Sequence, residues 1–197
     1  MKIALIMSTL FFIGCTTTQP HMAEYVLAPK IEKRNYESKK CHDRSIKIGQ
    51  VFSAKALRTK KMKYIQDELQ EDTFTQSQWS RTPSHAISDA LLISIRSSGL
   101  FEDVSSFRSK AKTDLLLETH VEKFIQYFED TNEKSYVEVV MTLNLLETKS
   151  AKSIGHTTVS TKVQSSSVDA KGGVVALNKA LQKSLLEVNS WLNGACQ

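Results

Sequence analysis

Few side chains in this sequence have a type and spacing that could do chemistry. Cys41-His42-Asp43 contains the residue types of a catalytic triad, but neighbours along an extended chain point to opposite faces and cannot act in line. His120 lies between Glu118 and Glu122 on the polar side of a predicted strand, where we expect a solvated row rather than a metal site. The acidic run over 67–72 lacks the glycine and spacing of a calcium loop and indicates a charged hairpin turn.

Catalytic sequence motifs are missing as well. The chain has no G-x-S-x-G, H-E-x-x-H or P-loop pattern and no glycine-rich dinucleotide turn, and its five histidines are scattered. We therefore predict a protein that is not an enzyme and needs no metal or cofactor. An exported hydrolase is the least favoured alternative, because its active site would leave no trace in the sequence.

Cys15 is the strongest chemical signal. Lys2 precedes an apolar run over 3–14, the layout of a secretory signal peptide, and the run is too short to span a bilayer. Phe12-Ile13-Gly14-Cys15 resembles the bacterial lipobox, in which the chain is cleaved before a cysteine that carries acyl chains, palmitate among them. We expect a signal peptide over 1–14, lipidation of Cys15 and a lipid-anchored flexible tether over 15–23. An uncleaved apolar segment with a buried cysteine is the alternative.

The residue after this cysteine bears on localisation. It is Thr16 rather than aspartate, which under the sorting rule of enteric bacteria predicts the outer membrane, with the chain facing the periplasm. The net charge of +5 in 197 residues could by itself indicate nucleic-acid binding. Because an exported chain does not meet nucleic acid, we expect the basic clusters over 30–40 and 58–63 to be solvated or to contact anionic headgroups or an acidic partner.

Two further cysteines, Cys41 and Cys196, remain once Cys15 carries lipid. In an oxidising compartment such a pair can persist as a disulfide, which would fix the carboxyl terminus to the start of the first long strand. Two unrelated thiols are the alternative. A metal site is not expected, since no Cys-x-x-Cys or His-x-x-x-His spacing accompanies them.

Hydrophobic periodicity predicts strands, a helix, more strands and a final helix within one domain over 24–197. Alternation marks strands, and helical spacing marks 83–98, capped by Thr82 and Gly99, and 169–193, ending at Gly194. The order predicts an α+β two-layer sandwich, with a mixed, mostly antiparallel sheet and two amphipathic helices on one face. The predicted strands are 25–27, 45–51, 60–65, 73–75, 101–107, 115–128, 136–148 and 153–164.

Candidate partner contacts follow from this arrangement. Lys61 and Lys63 alternate with apolar residues on a predicted strand, and the loop over 165–173 ends the sheet. Trp79 stands just before the helix cap, where we expect it to pack as the helix enters the core, with an interface anchor as the alternative. Self-association through an uncovered sheet edge is left open.

Several motifs together resemble those of the ABC-type transport auxiliary lipoproteins, which include paraquat-inducible protein C-like lipoproteins. The resemblance covers nearly all of the chain after Cys15. The residues that carry it are Cys15 followed by Tyr25-Val26-Leu27, Ala56-Leu57 with Lys60-Lys61-Met62-Lys63-Tyr64, Gln78-Trp79-Ser80-Arg81-Thr82-Pro83, Ser98-Gly99-Leu100-Phe101-Glu102-Asp103-Val104, Asp114-Leu115-Leu116-Leu117, Ala176-Leu177-Asn178-Lys179-Ala180-Leu181 and Trp191-Leu192.

This resemblance implies a non-catalytic lipoprotein that works with a lipid transport system. Such a system comprises a cytoplasmic ATPase, an inner-membrane permease and a mammalian-cell-entry (MCE) domain protein that crosses the periplasm, which the lipoprotein would receive at the outer membrane. The chain departs from the family by lacking a Pro-x-x-Leu-x-Arg pattern around Leu57. A structural or assembly lipoprotein for another outer-membrane complex is the alternative.

Overall fold

The computed structural model describes residues 21–33, 36, 41–67, 69–129 and 133–195. Within them, eight strands form one mixed sheet, and two helices that contact each other cover one face. The predicted two-layer α+β sandwich is thereby confirmed. The elements are β1 Ala23–Tyr25, β2 Ser45–Ser53, β3 Lys61–Gln66, β4 Gln70–Trp79, α1 Pro83–Ser98, β5 Asp103–Ser106, β6 Leu115–Phe128, β7 Ser135–Glu147, β8 Lys152–Gln164 and α2 Ala170–Ala195, with a short 3-10 helix Lys55–Arg58 between β2 and β3.

The central strand of the sheet is β6. One of its edges pairs antiparallel with β7, which pairs antiparallel with β8. Its other edge pairs parallel first with β2 and then with β3, because the 3-10 helix carries the chain along that edge. From there β2 pairs parallel with β5, while β3 forms an antiparallel hairpin with β4, whose other edge pairs parallel with β1. The antiparallel pairing predicted for the sheet thus holds among its three longest strands, β6, β7 and β8, and the shorter pairings are mainly parallel.

Helix α1 begins and ends where its sequence predicts. Thr82 has extended backbone angles, Pro83 is in the first turn, and Gly99 adopts the left-handed conformation with φ of 68°. A residue with a Cβ is strained at such an angle, which explains glycine at this position. The side chains of Ile87, Leu91 and Ile95, at helical spacing, are fully buried against the sheet.

Helix α2 differs from its prediction only at its ends. Asp169 is the N-cap, since its Oδ1 accepts a hydrogen bond of 2.7 Å from the Gly172 N–H three residues on. The helix continues through Gly194 to Ala195 rather than stopping at the glycine, which has no left-handed φ. The predicted apolar stripe, which includes Leu181 and Leu185, is buried.

The inward face of β6 was predicted correctly only for its first half. Leu115, Leu117 and Val121 are buried, but the pairing with β7 shifts register between Val121 and Lys123. A bulge of this kind reverses the alternation of side chains beyond it. Phe124 and Gln126 therefore face the core, and the prediction that Ile125 and Tyr127 do so is wrong.

The chain after β1 is a strap, residues 26–33, laid along α2. Asn178 fixes it at two points: its Oδ1 accepts from the Ala28 N–H at 2.7 Å, and its Nδ2 donates to the Val26 carbonyl at 3.3 Å. Farther along, the Gln182 amide donates to Glu32. The short strand predicted over 25–27 ends at Tyr25 because the backbone turns to the helix at this point.

Candidate functional site

Lys61 and Lys63, the two predicted contact lysines, lie on β3 with different surroundings. The Lys61 side chain is exposed, whereas Lys63 is half-buried and forms an ion pair with Glu71 on the neighbouring strand β4. Between them, Met62 points into the core. Lys61 is thus the lysine of this pair whose charge is free to meet a partner, while the charge of Lys63 is balanced within the hairpin.

Trp79 lies at the end of β4 and belongs to the core. Its side chain is 3% exposed, and its ring lies 6.0 Å from that of Phe124, centroid to centroid. The Trp79 indole therefore packs where α1 enters the core and does not form an exposed interface anchor. A partner that touched Trp79 would have to displace packed side chains.

The three cysteines are only partly covered by the structure. Cys15 and Cys196 lie outside the described residues, as do the signal peptide and residues 15–20 of the tether. Cys41 is buried and disulfide-bonded. Three residues further along the chain, the Arg44 guanidinium lies 3.7 Å from the Glu147 carboxylate at the end of β7. The bonded cysteine therefore stands at the end of the sheet where β7 turns into β8.

The carboxyl end of α2 reaches the same end of the sheet. A Cβ placed on Gly155, near the start of β8, would lie 3.9 Å from the Cβ of Ala195 and 3.5 Å from the Trp191 ring. Gly155 pairs with Leu145, two residues before Glu147. The last described residue of the chain is thus close to the strand ends that Arg44 contacts.

The triad-like and metal-like side chains are exposed and dispersed. His42 and Asp43 lie 3.7 Å apart, Nδ1 to Oδ1, on the surface, and the disulfide removes the Cys41 thiol as a nucleophile. His120 is exposed opposite Thr142 on β7. Within residues 21–33, 36, 41–67, 69–129 and 133–195, no three metal-ligating side chains converge.

One cleft of the folded chain is lined by three arginines that lie far apart in the sequence. Arg58 follows β2, Arg81 precedes α1, and Arg108 follows β5. The spacing of these arginines follows no helical or strand period, so the sequence pattern does not predict that they meet. Their side chains come together because β5 pairs with β2 and α1 packs on both strands. We call this the arginine cleft.

In the part of the chain that the structure describes, neither helix is both long and apolar enough to cross a bilayer.

The sequence from Tyr25 to Val188 matches the family model of the ABC-type transport auxiliary lipoprotein component. The match spans most of the α+β domain, from the end of β1 into the last turns of α2. The chain is a member of this family of auxiliary lipoproteins. A comparison with curated proteins finds no match.

Solved structures share the fold at low sequence identity. The crystal structure of protein XCC0632 from Xanthomonas campestris superposes with a TM-score of 0.79 at 13% identity, covering 88% of this chain and 95% of that chain. An uncharacterized protein gives a TM-score of 0.67 at 12% identity, covering 87% and 99%. The hypothetical protein CT253 from Chlamydia trachomatis gives 0.51 at 9% identity, covering 78% and 98%. These similarities establish the architecture alone.

Proposed function

We propose that this chain is an outer-membrane lipoprotein, anchored through Cys15 and facing the periplasm, that serves as a non-catalytic auxiliary component of an MCE-type lipid transport system. The family match over 25–188 carries the proposal, because the family is described as the auxiliary lipoprotein component of ABC-type transport. The lipobox-like Phe12-Ile13-Gly14-Cys15 supports the anchor. The domains of the mature chain would be a tether that ends before Ala23, the first residue of β1, and the single folded domain that follows it.

The position of β1 supports an orientation relative to the membrane. Seven residues lie between Cys15 and Ala23, and the eight steps along the chain limit their Cα distance to about 28 Å. Because β1 runs parallel to β4, the preceding chain approaches it from the side of the β3–β4 hairpin turn. The hairpin end of the domain would face the membrane, and the end that holds Cys41 and the β7–β8 turn would face the periplasm.

The proposed role needs binding surfaces rather than an active site. The ABC-type ATPase and permease would supply energy and passage through the inner membrane, and the MCE protein would bridge the periplasm to this chain. Lys61 is the proposed lysine contact, since its charge is exposed and unpaired among the described residues. Lys63 would contribute only if its ion pair with Glu71 opened, and Trp79 would act through the core that it stabilises.

The anchor is tested by metabolic labelling with radioactive palmitate. The wild-type chain should incorporate label and sediment with outer membranes, whereas Cys15→Ala should lose both the label and the membrane association. Cys41→Ala is the matched control, since it removes a cysteine but keeps the lipobox-like segment. Continued labelling of Cys15→Ala would refute the anchor.

The partner is tested by affinity purification of the tagged full chain from detergent-solubilised membranes. We expect an MCE-domain protein or its permease in the purified material. Recovery of a β-barrel alone would overturn the transport role and favour a lipoprotein that assembles another outer-membrane complex.

A further inference from the structure

The arginine cleft lies between the first turns of α1 and the end of β5. It consists of two adjoining cavities of about 210 and 130 Å³ that share His85, Ser88 and Phe107. Arg81 and Arg108 line the larger cavity, and Arg58 lines the smaller one. Each cavity alone is smaller than the roughly 300–1,000 Å³ of sites for drug-sized ligands, and the two together lie at the lower end of that range. The cleft therefore suits a small group rather than a whole lipid.

The charge in this cleft is positive. Among the described residues, Asp89 is the one carboxylate that lines either cavity, and its Oδ2 pairs with Arg81 at 2.6 Å. Arg58 and Arg108 have no carboxylate partner among the described residues, and the Arg108 guanidinium lies 5.3 Å from the centroid of the Phe107 ring. Three arginines and one aspartate leave an excess of positive charge for an anion to neutralise.

Hydroxyl groups without partners also line the cleft. Ser84 and Ser88 stand one helical turn apart, 7% and 9% exposed, and within the described residues neither hydroxyl makes a hydrogen bond. The Thr82 Oγ1 atom at the helix start is buried and likewise has no partner there. The Ser84 and Ser88 side chains are mostly buried, but their oxygens are not fully enclosed, so a ligand in the cleft can satisfy them.

These groups surround the amino-terminal end of α1. The helix dipole makes such an end favourable for anions, and arginine presents donors in a fork that fits phosphate oxygens. We infer that the arginine cleft binds a phosphate group, held by Arg58 and Arg108 together with the Ser84 and Ser88 hydroxyls. The site belongs to this chain alone and stands whether or not an MCE protein is its partner.

Two sources could supply this phosphate: the headgroup of a phospholipid and free phosphate. An acidic protein segment is less favoured, because hydroxyls without partners inside a small cleft suit a compact ligand with several oxygens better than a chain lying across the surface. Phe107 and Leu92, which also line the larger cavity, leave apolar room beside the anion for the glycerol carbons of a headgroup.

Isothermal titration calorimetry on the full chain in an uncharged detergent tests the inference. The probes are inorganic phosphate, glycerophosphoglycerol, which is a phospholipid headgroup without acyl chains, and a triglutamate peptide. The double variant R58Q/R108Q should bind phosphate at least tenfold more weakly. The control K149Q/K152Q removes equal charge at the exposed β7–β8 turn and should bind as the wild type does. S84A/S88A, which keeps all charges, should also weaken binding.

Each outcome decides the assignment. Binding of both phosphate probes, lost in R58Q/R108Q and kept in the control, supports a phosphate site that accepts a lipid headgroup. Binding of inorganic phosphate alone supports a site for free phosphate. An equal loss in K149Q/K152Q, no binding of either phosphate probe, or binding of triglutamate alone would overturn the inference. Circular dichroism melting curves establish that the variants are folded.

Discussion

Two carboxylates at the ends of elements accept hydrogen bonds from backbone N–H groups. The Gly172 N–H and then the Ser167 hydroxyl lower the pKa of Asp169, and the Ser45 N–H and then its hydroxyl lower the pKa of Asp114. A carboxyl whose pKa is lower in the folded chain stabilises it above the pKa of the unfolded chain, about 3.9. That contribution is lost as the pH falls through the folded pKa.

We predict that the free energy of unfolding decreases more steeply below pH 4 in the wild type than in D114N/D169N. The double variant should be less stable near neutral pH, because the amide oxygen of asparagine accepts the same hydrogen bonds without the negative charge that strengthens them. Urea unfolding at pH 6, 4 and 3 measures both effects. Parallel pH curves for the two proteins would show that these carboxylates do not contribute.

Gly173 is needed for close packing between α2 and β6. A Cβ at this position would lie 1.9 Å from Oε1 of Gln126, which is 2% exposed and donates hydrogen bonds to Ser135 and to the Asp169 carbonyl. Making room would strain or break these bonds, so Gly173→Ala should destabilise the chain by about 1–3 kcal/mol.

Gly194→Ala is the matched control in the same helix. A Cβ on Gly194 would meet no atom within 4 Å, so alanine should leave stability unchanged or raise it by up to about 1 kcal/mol. Denaturant unfolding of both variants provides the comparison. Equal effects of the two substitutions would contradict the packing role of Gly173.

At the scale of elements, the strap over 26–33 depends on the Asn178 side chain. Asn178→Ala removes both hydrogen bonds to the strap backbone and should cost about 1–2 kcal/mol. Hydrogen exchange of the strap amides should accelerate more than that of β7, because the strap would open locally. Lys179→Ala, an exposed neighbour on α2, is the control and should leave the strap protected. Unchanged strap exchange in Asn178→Ala would contradict this account.

The disulfide of Cys41 is a second long-range link, at the start of the sheet. We propose Cys196 as the partner of Cys41 in this disulfide. Acylation would occupy the Cys15 sulfur, and the carboxyl end of α2 lies near the strand ends that Arg44 contacts. Cys41→Ser and Cys196→Ser should each lower the free energy of unfolding by about 2–4 kcal/mol. The double variant should lose no more than either single variant.

Peptide mapping without reduction tests the same pairing directly. A cross-linked peptide containing Cys41 and Cys196 is expected from the acylated wild type. A Cys41–Cys15 peptide in that material would contradict both the pairing and the lipidation.

Element by element, periodicity predicted the helices and long strands because each has one apolar face. It failed beyond Val121, because a bulge reverses the alternation and its position depends on the pairing with β7. The strap could not be predicted, since it is held by the Asn178 side chain from 150 residues away rather than by a local pattern. β4 extends to Trp79, well beyond its predicted span over 73–75, because pairing with β1 and β3 fixes residues of weak strand propensity.

For the whole molecule, the sequence predicted the architecture and the family better than the candidate surfaces. Motifs such as Trp79-Ser80-Arg81-Thr82-Pro83 carry the resemblance because they lie at element ends, where the local backbone restricts residue choice. The arginine cleft was missed, since it joins residues from three distant segments. Trp79 is the opposite example: the sequence allowed it to be a partner contact, but its side chain is buried in the core.

The central claim, that this lipoprotein works with an MCE-type transport system, is tested most directly by cross-linking in intact cells. Cells carrying the tagged full chain are treated with a membrane-permeable amine cross-linker, and the tagged chain is purified under denaturing conditions. Its cross-linked partners are then identified by mass spectrometry. We expect an MCE-domain protein among the cross-linked partners of the wild type. Its recovery with Cys15→Ala should be strongly reduced, because this variant should no longer be held at the outer membrane. Cross-links to a β-barrel protein alone, with no MCE or permease peptide, would contradict it.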